Sequence, residues 1–278
     1  MKIIVFGASG YAGSAIYQLL KNDPQTEVIG TYLDDPGMFD DLYKLDVNEP
    51  ESFSAFFKQI QPDAVVWSVM SGPYEDELIN EGLLHLINHL SPETKLVYIS
   101  TDFVFADGYG PYTEDSVITK LPDEHVLSTY ANAKVKAERF IRNDLINCVI
   151  LRAGPIYGKN SLGKRDERTN QLLTSLRQGE TTAYRDDLIR TFVHVDDLAA
   201  AVKAFAMNEL TGVYHAGPNQ RASFYSFMRR MAESLGYDKE LVQRAEKEEL
   251  PDKEIPKNTA LATEKIVKET NLHFRPLP

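Results

Sequence analysis

The sequence predicts an α/β protein organised around a doubly wound parallel sheet, and three observations carry that prediction. A glycine-rich turn, Gly7-Ala8-Ser9-Gly10-Tyr11-Ala12-Gly13, joins an apolar strand-type run to a helix pattern. Short apolar segments then alternate with amphipathic ones over the first 150 residues, the rhythm of right-handed βαβ units. One of those segments, residues 63–68, is almost wholly apolar, as expected of a strand covered on both faces.

The elements follow in order. Residues 3–6 are the first strand, and Ala15, Ile16, Leu19 and Leu20 mark the helix after the turn. Residues 27–32 and 42–47 read as the second and third strands, the latter with Asp46 at its tip. Phe53, Phe56, Phe57 and Ile60 give a helical stripe over 51–60, and a helix over 76–90 follows the fourth strand. Strand five spans 95–100 and strand six 148–152. Beyond 153 the pattern loosens into a turn at 154–158, a basic segment (Lys159, Lys164, Arg165, Arg168) and a helix over 170–177. A short strand at 192–195 leads to a helix capped by Asp196 or Asp197; another at 213–217 leads to a helix over 223–235. The tail carries Pro251, Pro256, Pro276 and Pro278 and is expected to wrap a surface rather than build a core. The whole reads as a Rossmann-type sheet, residues 1–153 with 191–216, carrying a smaller C-terminal substrate-binding α/β domain, residues 154–190 with 217–278.

Composition sets limits on function. The 278 residues are 43% hydrophobic and 26% charged, as in a soluble globular enzyme. A formal net charge of −11 argues against nucleic acid or an anionic membrane as the main partner. No run of eighteen apolar residues and no signal-peptide pattern occurs, so the expected location is cytoplasmic. Cys148, the single cysteine, is expected inside strand six. His85 and His89 stand four apart on a helix with no third ligand nearby, so no metal is expected.

The glycine turn is the first functional signal. A strand entering a helix through such a turn presents bare backbone N–H groups to an anion, here the pyrophosphate of a dinucleotide. Gly7 makes the tight turn, Gly10 lets the phosphates approach, and Gly13 lets helix and strand pack. In such sheets the ligand lies beyond the carboxyl ends of the strands, which here are Gly7, Tyr32, Asp46, Ser68, Ser100 with Thr101, and Arg152. Tyr32 ends strand two with Asp34 and Asp35 beyond and no Arg or Lys, which leaves NAD versus NADP open. The second signal is Tyr130-Ala131-Asn132-Ala133-Lys134, whose spacing of four places phenol and amine on one helix face. An ammonium beside a phenol favours phenolate and is expected to lower its pKa, which prepares it for proton transfer.

These residues resemble the extended short-chain dehydrogenase/reductases over nearly the whole chain. The resemblance implies a catalytic triad of Thr101, Tyr130 and Lys134 and a cofactor, NAD(P)H, of unresolved preference. It implies that the cofactor is held by Gly7, Ser9, Gly10, Tyr11, Ala12 and Gly13 of the turn, by Tyr32, Asp46 and Val47 on the adenosine side, and by Ser68, Val69, Met70, Ser100, Tyr130 and Lys134 near the nicotinamide. The stretch from Arg190 to Leu198 is similar to the family's substrate-domain signature, which implies that Arg190 grips a diphosphate, with Thr101, Asp102 and Phe103 also at the substrate. Within the family the chain is most similar to dTDP-4-dehydrorhamnose reductases, through residues 100–105, 110–115 and 212–215. The 4,6-dehydratases carry a Glu at the position of Phe103, so dehydration is disfavoured. Two positions depart from the reductases: Phe103 replaces a usual Tyr, and Ser68-Val69-Met70-Ser71-Gly72-Pro73 replaces an Asn-Ala-Ala stretch.

The implied chemistry is hydride transfer from the nicotinamide to the ketone carbon of a nucleotide-linked keto-sugar, with Tyr130 as proton donor. Two other readings stay open: an epimerase with tightly bound NAD, and a non-catalytic NAD(P)-binding regulatory subunit. A homodimer is left open, and no nucleic acid or membrane partner is expected.

Overall fold

The structure, a computed structural model of the chain, describes residues 1–245 and 255–278. Strand β1 (Lys2–Phe6) runs into helix α1 (Tyr11–Lys21), followed by β2 (Glu27–Tyr32), β3 (Tyr43–Lys44), α2 (Pro50–Gln59) and β4 (Ala64–Trp67). An interrupted helix comes next: a 3-10 turn at Gly72–Tyr74, α3 (Glu75–Leu78), a π-helical stretch at Ile79–Leu83 and α4 (Leu84–His89). Then come β5 (Lys95–Thr101), a 3-10 turn at Asp102–Val104, α5 (Ser128–Asp144) and β6 (Cys148–Ala153). The remainder holds β7 (Ile156–Tyr157), α6 (Glu167–Arg177), β8 (Thr182–Tyr184), β9 (Ile189–Arg190), β10 (Val193–His194), α7 (Val195–Ala206) and β11 (Gly212–Ala216). Last among the described residues are β12 (Ala222–Ser223), α8 (Phe224–Ser234), β13 (Val242–Arg244) and α9 (Glu264–Thr270).

Seven strands form one parallel sheet in the order β11-β6-β5-β4-β1-β2-β3. The order reverses direction between β1 and β4, the switch point where such sheets bind ligands. Side chains alternate between the two faces, as the period of a strand requires. Ile3 and Val5 pack with Ile16 and Leu20 of α1 and with Leu198, Val202 and Phe205 of α7. Ile4 and Phe6 enter the opposite layer with Phe53, Phe56 and Phe57 of α2, Leu83, and Ala137 and Ile141 of α5. Both faces are covered, which is why the strands are nearly continuous apolar runs. A third cluster lies outside the sheet, built by Leu172 and Leu176 of α6, Phe192, and Phe227, Met228 and Met231 of α8.

Several boundaries differ from expectation, each for a local reason. β3 is two residues long rather than six; the Asp46 carboxylate accepts the Asn48 N–H at 3.0 Å, and this turn ends the strand. The helix expected over 76–90 is broken into α and π pieces, and the π stretch contains Gly82, where a Cβ would stand 2.8 Å from the Val47 side chain. α6 starts at Glu167, three residues early, because Asp166 caps it by accepting the Thr169 N–H at 3.0 Å. α7 is capped not by Asp196 or Asp197 but by His194, whose Nδ1 accepts the Asp196 N–H at 3.2 Å. The tail does build core: Ile266 joins the α1–α7 layer, Leu261 packs with Phe105, and Leu277 joins the third cluster. Pro251 lies outside the described residues.

Candidate active site

The glycine turn has the geometry that the spacing demands. Gly7 has φ +76°, a conformation that a side chain disfavours, and a Cβ on Gly13 would come 2.0 Å from the Gly7 carbonyl oxygen. Only glycine allows strand and helix to approach this closely. Helix α1 begins at Gly10 with no side-chain cap and no acidic residue in its first turn. Its leading N–H groups and the positive end of its dipole therefore fit an anionic pyrophosphate. Ser68, at the end of β4, donates to the Phe6 carbonyl at 2.6 Å and lines the other side of the turn. Met70 beyond it is exposed and Val47 buried. Tyr11 does not face outward: its hydroxyl donates to the Gly158 carbonyl at 2.7 Å.

Thr101 ends β5, and Tyr130 and Lys134 project from α5. The Lys134 ammonium lies 5.8 Å from the centre of the Tyr130 ring and 5.0 Å from that of Tyr98. Thr101 stands close enough to the Tyr130 phenol to lower its pKa. The three residues are thus together at the carboxyl edge of the sheet, close to the switch point. The net effect on the phenol is opposite to the sequence expectation. Burial pushes Tyr130 up, and this outweighs the lowering by the Lys134 charge and by Thr101.

The missing element is Glu75. It is fully buried, and its Oε1 lies 2.9 Å from the Lys134 Nζ. Its Oε2 accepts the N–H groups of Ser71 (2.7 Å) and Gly72 (3.3 Å), which ties the segment after β4 to the triad. Glu75 adds its own upward push on the phenol, so the ammonium is shared between a phenol and a carboxylate. A carboxylate seven residues past a central strand is visible in the sequence, but nothing in the spacing aims it at Lys134.

Four expected site residues are committed elsewhere. The Ser100 hydroxyl donates to Glu138 Oε1 at 2.6 Å, within a buried ion pair of Glu138 and Arg152 (2.7 Å). Arg152, expected at the ligand end of its strand, is consumed by that pair. Arg190 is 1% exposed; its Nη1 donates to the carbonyls of Ile189 (2.8 Å) and Lys257 (3.0 Å), and its Nη2 to that of Pro256 (2.8 Å). Its Nε stands 3.5 Å from the buried Asp102 carboxylate, which Thr259 also hydrogen-bonds. In this geometry Arg190 and Asp102 clasp the tail to the sheet edge, so Arg190 spends its donors on backbone carbonyls rather than on the diphosphate the resemblance implied, and Asp102 is turned to Arg190 and Thr259 rather than to a substrate. Phe103 is half-buried, with the Arg190 guanidinium over its ring at 5.4 Å.

The basic segment divides in the same way. Arg168 turns back to the Ile156 carbonyl at 2.9 Å. Lys164 instead crosses to the glycine turn and donates to the Ser9 carbonyl at 2.7 Å.

The family model described as RmlD substrate binding domain matches residues 1–277. The chain belongs to this family. Among curated relatives it is 23% identical to methionine adenosyltransferase 2 subunit beta of Xenopus laevis, over 84% of this chain and 72% of the relative. It is 26% identical to a dTDP-4-keto-6-deoxy-D-glucose reductase of Streptomyces niveus, over 84% of this chain and 79% of that protein. A solved dTDP-4-dehydrorhamnose reductase from Bacillus anthracis, in complex with NADP, superposes with TM-score 0.79 at 18% identity, covering 99% of this chain and 95% of that one. The contact of Glu75 with Lys134 and the inward turn of Arg190 were not foreseen from the sequence.

Proposed function

We propose that the chain is an NAD(P)H-dependent reductase of a nucleotide-linked keto-sugar. The observation that carries this reading is the meeting of Thr101, Tyr130 and Lys134 at the carboxyl edge of β5, beside a glycine turn fitted to a pyrophosphate. Residues 1–153 with 191–216 carry the main dinucleotide cradle, and the sugar is received by the remainder, chiefly 167–190 and 217–245. Bound NAD(P)H supplies the hydride for the ketone carbon.

The chain's own residues supply the rest. Tyr130 gives its phenolic proton to the carbonyl oxygen as that oxygen gains charge, and Thr101 donates a hydrogen bond to the same oxygen. Lys134 stabilises the phenolate left behind and, through Glu75, is held in one place. Burial of the phenol favours its protonated form, which is the form a reductase needs at the start of each turnover. Phe103, where a dehydratase would need an acid, lends support to reduction over dehydration.

One observation favours a second reading, a dinucleotide-binding regulatory subunit that does not turn over. The Lys134–Glu75 pair offsets the charge that would activate Tyr130. A panel of nucleotide-linked keto-sugars with NADH and NADPH separates the two, read as loss of nicotinamide absorbance. The reductase reading predicts turnover with at least one sugar. Tight dinucleotide binding without turnover on any sugar would favour the regulatory reading.

A further inference from the structure

We propose that Lys164 is the ligand for the 2′-phosphate of the bound dinucleotide, so that the chain selects NADPH over NADH. The inference rests on the dinucleotide reading of the glycine turn and adds a subsite to it. In sheets of this class the adenosine ribose lies beyond the end of β2, and a cation there receives the 2′-phosphate. The end of β2 in this chain reads Tyr32-Leu33-Asp34-Asp35 and has no cation of its own. The fold delivers one from far along the chain.

Lys164 Nζ donates to the Ser9 carbonyl at 2.7 Å, across 155 positions of sequence. The loop after β2 closes on the same amine, since a Cβ built on Gly37 would stand 3.2 Å from it. The ammonium therefore sits between the glycine turn and the loop following β2, at the adenosine edge of the cradle. It forms no ion pair among the described residues, although the chain carries a net charge of −11. The carboxylate on the facing loop, Asp35, takes up the Gly37 N–H at 2.8 Å. An ammonium has three donors, and the Ser9 carbonyl uses one.

The backbone that carries Lys164 is pinned. Asn160 Nδ2 donates to the Tyr11 carbonyl (3.2 Å) and to the Ser14 hydroxyl (3.1 Å), and its Oδ1 accepts the N–H groups of Leu162 (3.1 Å) and Lys164 (2.9 Å). Tyr11 binds the Gly158 carbonyl at 2.7 Å, and Asp166 accepts the Gly158 N–H at 3.1 Å. The segment 158–166 is thus built onto the start of α1, and the amine is positioned before any phosphate arrives. Preorganisation of this kind lowers the ordering cost of binding.

The test is equilibrium titration of the full chain with NADPH and with NADH, followed by nicotinamide fluorescence, for the wild type, Lys164→Met and Lys164→Arg. Loss of one charge-assisted phosphate contact predicts that Lys164→Met weakens NADPH about tenfold or more and NADH by less than about twofold, with Lys164→Arg close to wild type. Equal weakening of both would assign Lys164 to the shared pyrophosphate and overturn the 2′-phosphate role. An unchanged NADPH-to-NADH ratio with both bound would overturn it too, while leaving the dinucleotide reading intact. A wild type that binds neither would remove that reading and this inference together.

Discussion

Helix α5 carries two buried charges one turn apart, Lys134 and Glu138, and each meets an opposite charge from another element. The Glu138–Arg152 pair is saturated. Arg152 Nε and Nη2 approach both carboxylate oxygens (3.0 and 2.7 Å), Ser100 adds a hydrogen bond, and Arg152 Nη1 reaches the Glu114 carbonyl (3.4 Å) and His215 Nε2 (3.3 Å). The Lys134–Glu75 pair makes a single charge contact at 2.9 Å, with two aromatic rings around the ammonium. The first arrangement leaves nothing over for a ligand and binds α5 to β5 and β6. The second keeps donor capacity on the ammonium, beside the Tyr130 phenol proposed as the proton donor. Two ion pairs on one helix face, equally buried, are therefore built for different work.

The contrast can be broken at its structural end first. Arg152→Met strands the Glu138 carboxylate in the core, and removal of one partner of a buried pair costs about 3–5 kcal/mol. Chemical denaturation should show that loss. A midpoint within error of wild type would mean that the pair is not structural.

A related effect appears with pH. His215 is fully buried, and its pKa is pushed down to about 3, first by burial and then by the Arg152 charge. A base held neutral in the folded state contributes fully above its unfolded pKa near 6.5, and that contribution fades as pH falls from there towards 3. The loss should reach on the order of 4 kcal/mol at pH 3. His215→Gln should flatten this part of the stability profile between pH 6.5 and 3, and an unchanged slope would refute the assignment.

The functional pair sharpens the comparison through a smaller effect. Glu75 raises the Tyr130 pKa, so Glu75→Gln should lower it. Reduction needs the phenol protonated and fails as pH rises through its pKa. The alkaline limb of kcat/KM should therefore move to lower pH in the variant. A move to higher pH would contradict the shared-ammonium account.

How much of this was legible in the sequence follows the same division. Apolar runs buried on both faces, such as 64–67, announce themselves, and so do glycines whose positions exclude a Cβ, such as Gly13. The Tyr130–Lys134 spacing is a helical constraint and survives folding. What could not be read depends on contacts far apart in the chain. Arg190 lies in a stretch that promises a phosphate ligand, but its burial is set by carbonyls of Pro256 and Lys257, 66 and 67 positions away. In the sequence Lys164 is one member of a basic segment, with nothing to single it out; the Asn160 turn aims it at Ser9. The sign of the Tyr130 shift required knowing both its burial and the position of Glu75.

The central claim is that Tyr130 transfers a proton beside Lys134 at the end of β5. Its most direct test is Tyr130→Phe, assayed for reduction of a keto-sugar that the wild type accepts, with dinucleotide affinity measured in parallel. The account predicts that turnover falls about 10²- to 10⁴-fold while affinity for the dinucleotide stays within about twofold. Turnover at the wild-type rate in this variant would contradict it.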